Sequence, residues 1–211
     1  MSTNAFIEVR LDEAQALADY TSIAFDLRTA RDFATVILEE TKGPEPNYSL
    51  SDPFMVATII RYARAFAGGV RLKLYDEVVS VLTAEQRSKH DHFIHIRDKY
   101  IAHSVNAFEE SEPIARYWVE RVKDEGISSI ECNHRRIVGL SDQDLLDIID
   151  LASTWLEYVQ QKLHDEKTRL LPIVRKIPLD TLFQSAPKFT PAPDTSQPEK
   201  PRATATRRKR L

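Results

Sequence analysis

A single cysteine, Cys132, in 211 residues excludes an intrachain disulfide and any cysteine-rich zinc site, and it fits a reducing compartment. Glycine is scarce too, with five residues, while Leu, Ala, Glu, Arg and Ile are plentiful, a balance that favours helices. No apolar run is long enough to span a bilayer, and Met1-Ser2-Thr3-Asn4 lacks the basic-then-apolar pattern of a secretory signal. These absences predict a cytoplasmic protein with no membrane partner. No Gly-rich phosphate loop, no Ser/His/Asp order and no cysteine nucleophile stands out, and no cofactor is expected. The remainder is ordinary for one globular domain with appendages: 42% hydrophobic and 29% charged residues.

The net charge of −3 is unevenly spread. From Ser185 onward seven cations, ending in Arg207-Arg208-Lys209-Arg210, face only Asp194 and Glu199, giving +5 and leaving −8 on the body. An acidic body argues against a broad nucleic-acid-binding face, whose footprint is basic, so any RNA contact must be local or helped by the tail. The tail end could tether nucleic acid by counterion release or serve only solubility. Pro187, Pro191, Pro193, Pro198 and Pro201 punctuate this stretch, and it has too little apolar area to offset its ordering entropy.

Apolar residues recur at three- and four-residue steps over 11–41, predicting a long helix that Gly43-Pro44-Glu45-Pro46 ends. Ser51-Asp52-Pro53 restarts one, with Ser51 or Asp52 as cap and Phe54, Val56, Ala57, Ile59, Ile60, Ala63 and Phe66 as its core face. A kink, close crossing or break is expected at Gly68-Gly69, with Val70 to Leu82 resuming the helical pattern. Thr83 and Gln86 have the spacing of a capping box, opening a helix over about 84–108 that Glu109 to Pro113 stops. Residues 114–139 alternate imperfectly and read as a small β-hairpin, with an irregular loop as the competing reading. Ser141 caps the last long helix, whose stripe runs Leu145, Ile148, Ile149, Leu151, Ala152, Trp155, Leu156, Val159 and Leu163, up to Leu171 before Pro172. Residues 173–183 are expected to dock as a short segment. The expected fold is therefore all-α: an up-and-down bundle over 1–183 with the hairpin inserted before its last long helix, then a disordered basic tail over 184–211.

The stretch from His90 to Ser104 carries the candidate chemistry. At 100° per residue, Phe93, Ile96, Tyr100 and Ala107 form one apolar stripe, with Arg97 and His103 on its opposite shoulders. Those two lie about 120° apart around the axis and about 9 Å along it, too far for a pair on one helix. To act together they need the helix to end or bend near His103, or a second copy to face the first. His92 and His95 are spaced to share a metal, but no third ligand follows, so His90, His92 and His95 read as a solvated polar face. His134-Arg135-Arg136 forms a small basic spot that reads as an ordinary exposed cluster, and Trp118 and Trp155 read as packing.

Arg97-Asp98-Lys99-Tyr100-Ile101-Ala102-His103, an Arg and a His with five residues between them on a helix, resembles the motif of the HEPN superfamily. The wording is most similar to its bacterial abortive-infection-type families. The resemblance implies a HEPN-like bundle and a homodimer whose two motif helices share a composite cleft. It also implies a metal-independent endoribonuclease that leaves a 2′,3′-cyclic phosphate, set in bacterial phage defence or a toxin–antitoxin pair with a cognate antitoxin or regulatory protein. In that chemistry His103 is the acid or base and Arg97 stabilises the pentavalent phosphate. Asp98 orients His103 or bonds the ribose, Tyr100 stacks or supplies a hydroxyl, and Lys99 contacts the RNA substrate. Asp98 departs from the Asn or His of many members, since a carboxylate there repels phosphate. The rival expectations are a non-catalytic dimeric interaction module that kept the bundle, and a regulatory subunit. In either, Arg97 serves an intrachain ion pair, with Glu77 or Asp91, and His103 caps its helix.

Overall fold

Two long helices, α1 (Gln15–Lys42) and α5 (Asp142–Arg175), pack along each other and carry most of the core. The computed structural model describes residues 7, 9, 11–42, 51–67, 71–101, 109–117, 126–136 and 139–185. Helix α2 (Ser51–Ala63) packs on α1. The short α3 (Val78–Val81) leads into α4 (Ala84–Ile96), and α6 (Leu179–Ser185) follows α5. Strands β1 (Glu109–Tyr117) and β2 (Ile127–Arg136) form one antiparallel hairpin between α4 and α5. The chain is thus mainly helical with a two-stranded hairpin, and no helix among the described residues is long and apolar enough to cross a membrane.

Why α5 forms is plain from its residues. Ser141 accepts from the Asp144 N–H while Asp144 accepts from the Ser141 N–H, a reciprocal cap. From there Leu145, Ile148, Leu151, Ala152, Trp155, Leu156 and Val159 face the core, all buried. Each large member contributes about 1.5–3 kcal/mol by leaving water. The opposite partner, α1, buries Ile23, Leu27, Ala30, Ala34 and Ile37, its alanines letting the two backbones approach. Thr83 and Gln86 cap α4 in the same reciprocal way.

The structure corrects five expectations. First, Val70 to Leu82 is not a resumed helix. The Leu72 N–H donates to Asp19 Oδ2 on α1 at 2.9 Å and the Leu74 N–H to Ala65 O at 2.9 Å, so residues 71–74 spend their hydrogen bonds on other segments. A 3₁₀ turn at Tyr75–Glu77 and the one-turn α3 complete the span. Second, the motif helix leaves α-geometry at Arg97 and goes on as a π-turn to Ile101; the part of that expectation over 102–108 lies outside the described residues. Third, β1 starts at Glu109, inside the stretch read as a helix stop. Its first rungs pair Glu109 with Arg136 and Glu110 with Arg135 in register. Fourth, α5 runs through Pro172 to Arg175, so the ring sits inside the helix near its end, where one backbone bond is forgone. Fifth, α2 buries Met55, Thr58, Ile59, Tyr62 and Ala63 and leaves Ile60 outside, while Phe25 of α1 is also exposed. The Ser51 hydroxyl is buried without a hydrogen-bond partner and does not cap α2. The Gly68-Gly69 expectation, the basic tail and Trp118 fall outside the described residues.

Candidate functional site

Arg97 to Ile101 form a single π-helical turn continuing α4. A π-turn closes i to i+5 bonds and holds more residues per revolution, so the 100° phase that placed Arg97 and His103 on opposite shoulders does not carry past Arg97. The turn packs against α2, with Ile94, Ile96 and Ile101 half-buried on the core. Arg97 and Asp98 remain at the surface, 40% and 47% exposed, and the Arg97 Nη1 donates to Asp98 Oδ1 in a short contact. Neither Glu77 nor Asp91, the partners expected for Arg97 in a structural role, takes that place. Exposed to this degree, the pair is screened and worth little to folding. Its consequence is chemical: half of the guanidinium fork is directed at a neighbouring carboxylate and half is left for other acceptors.

Of the remaining motif residues, Lys99 is exposed and Tyr100 is placed in the turn by its backbone. His103 lies outside the described residues. The structure therefore brings Arg97 and Asp98 together.

Just before the turn, α4 meets α5 along an antiparallel polar seam. Gln86 donates to Asp150 at 3.0 Å and to Thr154 at 3.1 Å, Lys89 pairs with Asp147 at 3.0 Å, and His92 Nε2 lies 3.7 Å from Asp144. Each step of three residues forward on α4 is a step of three back on α5. Glu85 and Asp147 bond the Lys89 ammonium and push its pKa up, so it stays charged. Ser88, Lys89, His92, Phe93 and Asp147 line an open cavity of ≈ 280 Å³ on this seam. The comb of Gln86, Lys89 and His92 against Asp150, Asp147 and Asp144 was present in the sequence as reciprocal spacing. It stayed invisible as a contact because nothing local says which helix α4 faces.

His90 overturns the expectation of a solvated face. It is 3% exposed, its Nδ1 lies 2.8 Å from the Tyr62 hydroxyl, and the Phe66 ring stands edge-on to it with centroids 4.5 Å apart. Burial lowers its pKa, opposed by the nearby Asp91 charge, and burial likewise raises that of Tyr62. Both are neutral core groups satisfying each other. His92 and His95 are exposed as expected. Among the described residues no group of three His, Cys, Asp or Glu side chains is placed to hold a metal ion. Comparison of the chain with protein-family models, with curated proteins and with solved structures gives no match in any of the three.

Proposed function

We propose that the chain is a HEPN-like, homodimeric, metal-independent endoribonuclease whose composite site pairs Arg97 of one subunit with His103 of the other. The observation that carries this reading is the half-exposed Arg97 guanidinium on a π-helical turn within the Arg97 to His103 motif. Single π-turns inside α-helices recur at functional sites because they re-aim side chains out of helical phase. In the proposed step a base removes the proton from a ribose 2′-hydroxyl, whose oxygen attacks the adjacent phosphorus. The bond to the 5′-oxygen breaks, that oxygen takes a proton, and a 2′,3′-cyclic phosphate remains. His103 serves one of the two proton transfers, and Arg97 carries the charge of the pentavalent phosphate. Asp98 holds Arg97 and orients His103 or the ribose, while Lys99 and Tyr100 meet the substrate. A bacterial defence or toxin–antitoxin setting, with a cognate antitoxin or regulatory partner, belongs to the same reading.

The test is cleavage of RNA by the full chain in EDTA. Wild type should yield 2′,3′-cyclic ends, and Arg97→Ala and His103→Ala, folded and dimeric, should not. A folded wild type that cuts no RNA overturns the enzyme reading. A second reading, a dimeric interaction module without catalysis, is favoured by one specific contact: Asp98 already occupies part of the Arg97 fork. A dimer that persists while cleavage is absent decides for it.

A further inference from the structure

Asp26 on α1 is 2% exposed and holds three arginines. Arg71 Nη1 donates to its Oδ2 at 2.7 Å and Arg61 Nη1 to its Oδ1 at 2.8 Å, while Arg64 Nε lies 3.4 Å away. One cation is enough to neutralise one carboxylate, and Arg71 fills that role. It is 11% exposed and also donates to the Ser22 hydroxyl at 3.0 Å and to Arg64 O at 2.6 Å. Arg61 and Arg64 are surplus, leaving the cluster at +2. Arg64 is 52% exposed, and the same buried carboxylate anchors both. Beside them Phe25 stands 58% exposed, with the Arg61 guanidinium 5.9 Å over its ring. Farther along the segment from Arg71, the Lys73 ammonium lies 5.5 Å over the exposed Tyr75 ring.

From this arrangement we infer that the Asp26-anchored arginines, with Phe25, form a binding site for a single-stranded polynucleotide. Guanidinium groups held in place take phosphodiester oxygens without losing much side-chain freedom, since the ordering has been done by Asp26. An exposed ring beside them offers a base a stacking platform, and pairing cations with rings is how sequence-tolerant single-strand sites are built. The site also answers the charge balance: on a body of −8, this is a local cationic island. A broad anionic surface such as a membrane would meet the acidic remainder; a single strand need touch only the island. The α1–α2 seam that carries it and the π-turn lie against the same helix, α2. The choice of RNA over DNA rests on the nuclease reading above; the site itself recognises backbone and base face.

The experiment measures binding of a fluorescein-labelled oligouridylate to the full chain by anisotropy across a salt series. The reference carries alanine at Arg207, Arg208, Lys209 and Arg210, which removes any binding by the tail. Against that reference, Arg64→Ala should weaken binding about fivefold and flatten the salt dependence by about 0.7 in log–log slope. Phe25→Ala should weaken it at least about fivefold, the lower end of one lost stacking contact. Lys42→Ala, an exposed cation at the end of α1, should change it less than about twofold. Arg64 and Phe25 are exposed, and circular dichroism melting of each variant shows that the fold is kept. Equal binding by the reference, Arg64→Ala and Phe25→Ala overturns the inference, and so does capture by phosphatidylserine vesicles without oligonucleotide binding. The two proposals separate cleanly. Arg97→Ala should lose cleavage, while Arg64→Ala and Phe25→Ala made in that background should still weaken binding about fivefold each. Patch-dependent binding without cleavage sinks only the nuclease, and cleavage with patch-independent binding sinks only this site.

Discussion

The Tyr62 hydroxyl lies 2.8 Å from His90 Nδ1 inside an aromatic cage, with Phe66 and Trp155 in edge contact at 5.1 Å. Which of the two donates follows the imidazole tautomer, and in either one each satisfies the other. Tyr62→Phe keeps the ring and strands the imidazole nitrogen. It should cost about 1–3 kcal/mol in urea unfolding, the price of an unsatisfied buried polar group. A change below the error of the measurement would show that the bond does not contribute.

The same pair sets a pH dependence. His90 has its folded pKa lowered from the ordinary 6.5, chiefly by burial. Between the folded value and 6.5 the unfolded chain binds more protons than the folded one, so stability rises with pH there. Stability should therefore fall as pH drops below 6.5, by at most about 1.4 kcal/mol per pH unit from this group. Unfolding free energies from pH 8 to 5 check the sign, and a Tyr62→Phe/His90→Phe protein should lose this component of the slope.

Asp26 and Arg64 differ in what their removal leaves behind. Asp26→Ala leaves Arg71, nearly buried, without its carboxylate and should cost about 3 kcal/mol or more. Arg64→Ala removes a half-exposed partner at 3.4 Å and should cost less than about 1 kcal/mol. Chemical denaturation of both variants tests the ordering. Equal losses would mean that the carboxylate is not the anchor.

Asp98→Asn separates two roles for that residue. Removing its charge weakens its hold on the Arg97 fork and takes away a repulsion toward phosphate. If Asp98 acts on the site only through Arg97, KM for a short RNA should fall and the salt dependence steepen by about 0.7 in log–log slope. A loss of kcat with KM unchanged would instead place Asp98 in the chemistry, orienting His103.

Among the described residues no helix packs extensively against β1 or β2, and Ile130 on β2 is exposed. Ile130→Ser should therefore shift unfolding free energy by no more than about 0.5 kcal/mol. A larger loss, growing with protein concentration, would reveal that this strand is covered in an oligomer.

Much of the fold was legible because it is written in near neighbours. The α5 stripe came through almost residue for residue, since apolar spacing and a Ser141/Asp144 cap need no knowledge of what lies opposite. The start of α4 at Ala84 was legible for the same reason. Segment 71–74 was not, because the carboxylate that claims the Leu72 N–H sits 53 residues earlier. The α2 face was legible only in part, with Ile59, Ala63 and Phe66 buried as expected but Met55 and Tyr62 missed, for a related reason. A tyrosine is a poor core candidate until a histidine 28 residues away satisfies its hydroxyl. Of the candidate site, the motif itself was read from sequence, but the π-turn and the Arg97–Asp98 bond were not.

By itself the sequence determined where α4 and α5 begin, which stripe of α5 is apolar, and that Arg97 and Asp98 share one short stretch with His103. Only the tertiary structure decided that His90 is a core residue, that three arginines gather on Asp26, and that α4 changes its helical period at Arg97. The physical reason is range. Caps and stripes depend on residues a turn or two apart, whereas burying a charge or an imidazole depends on a partner supplied by another helix.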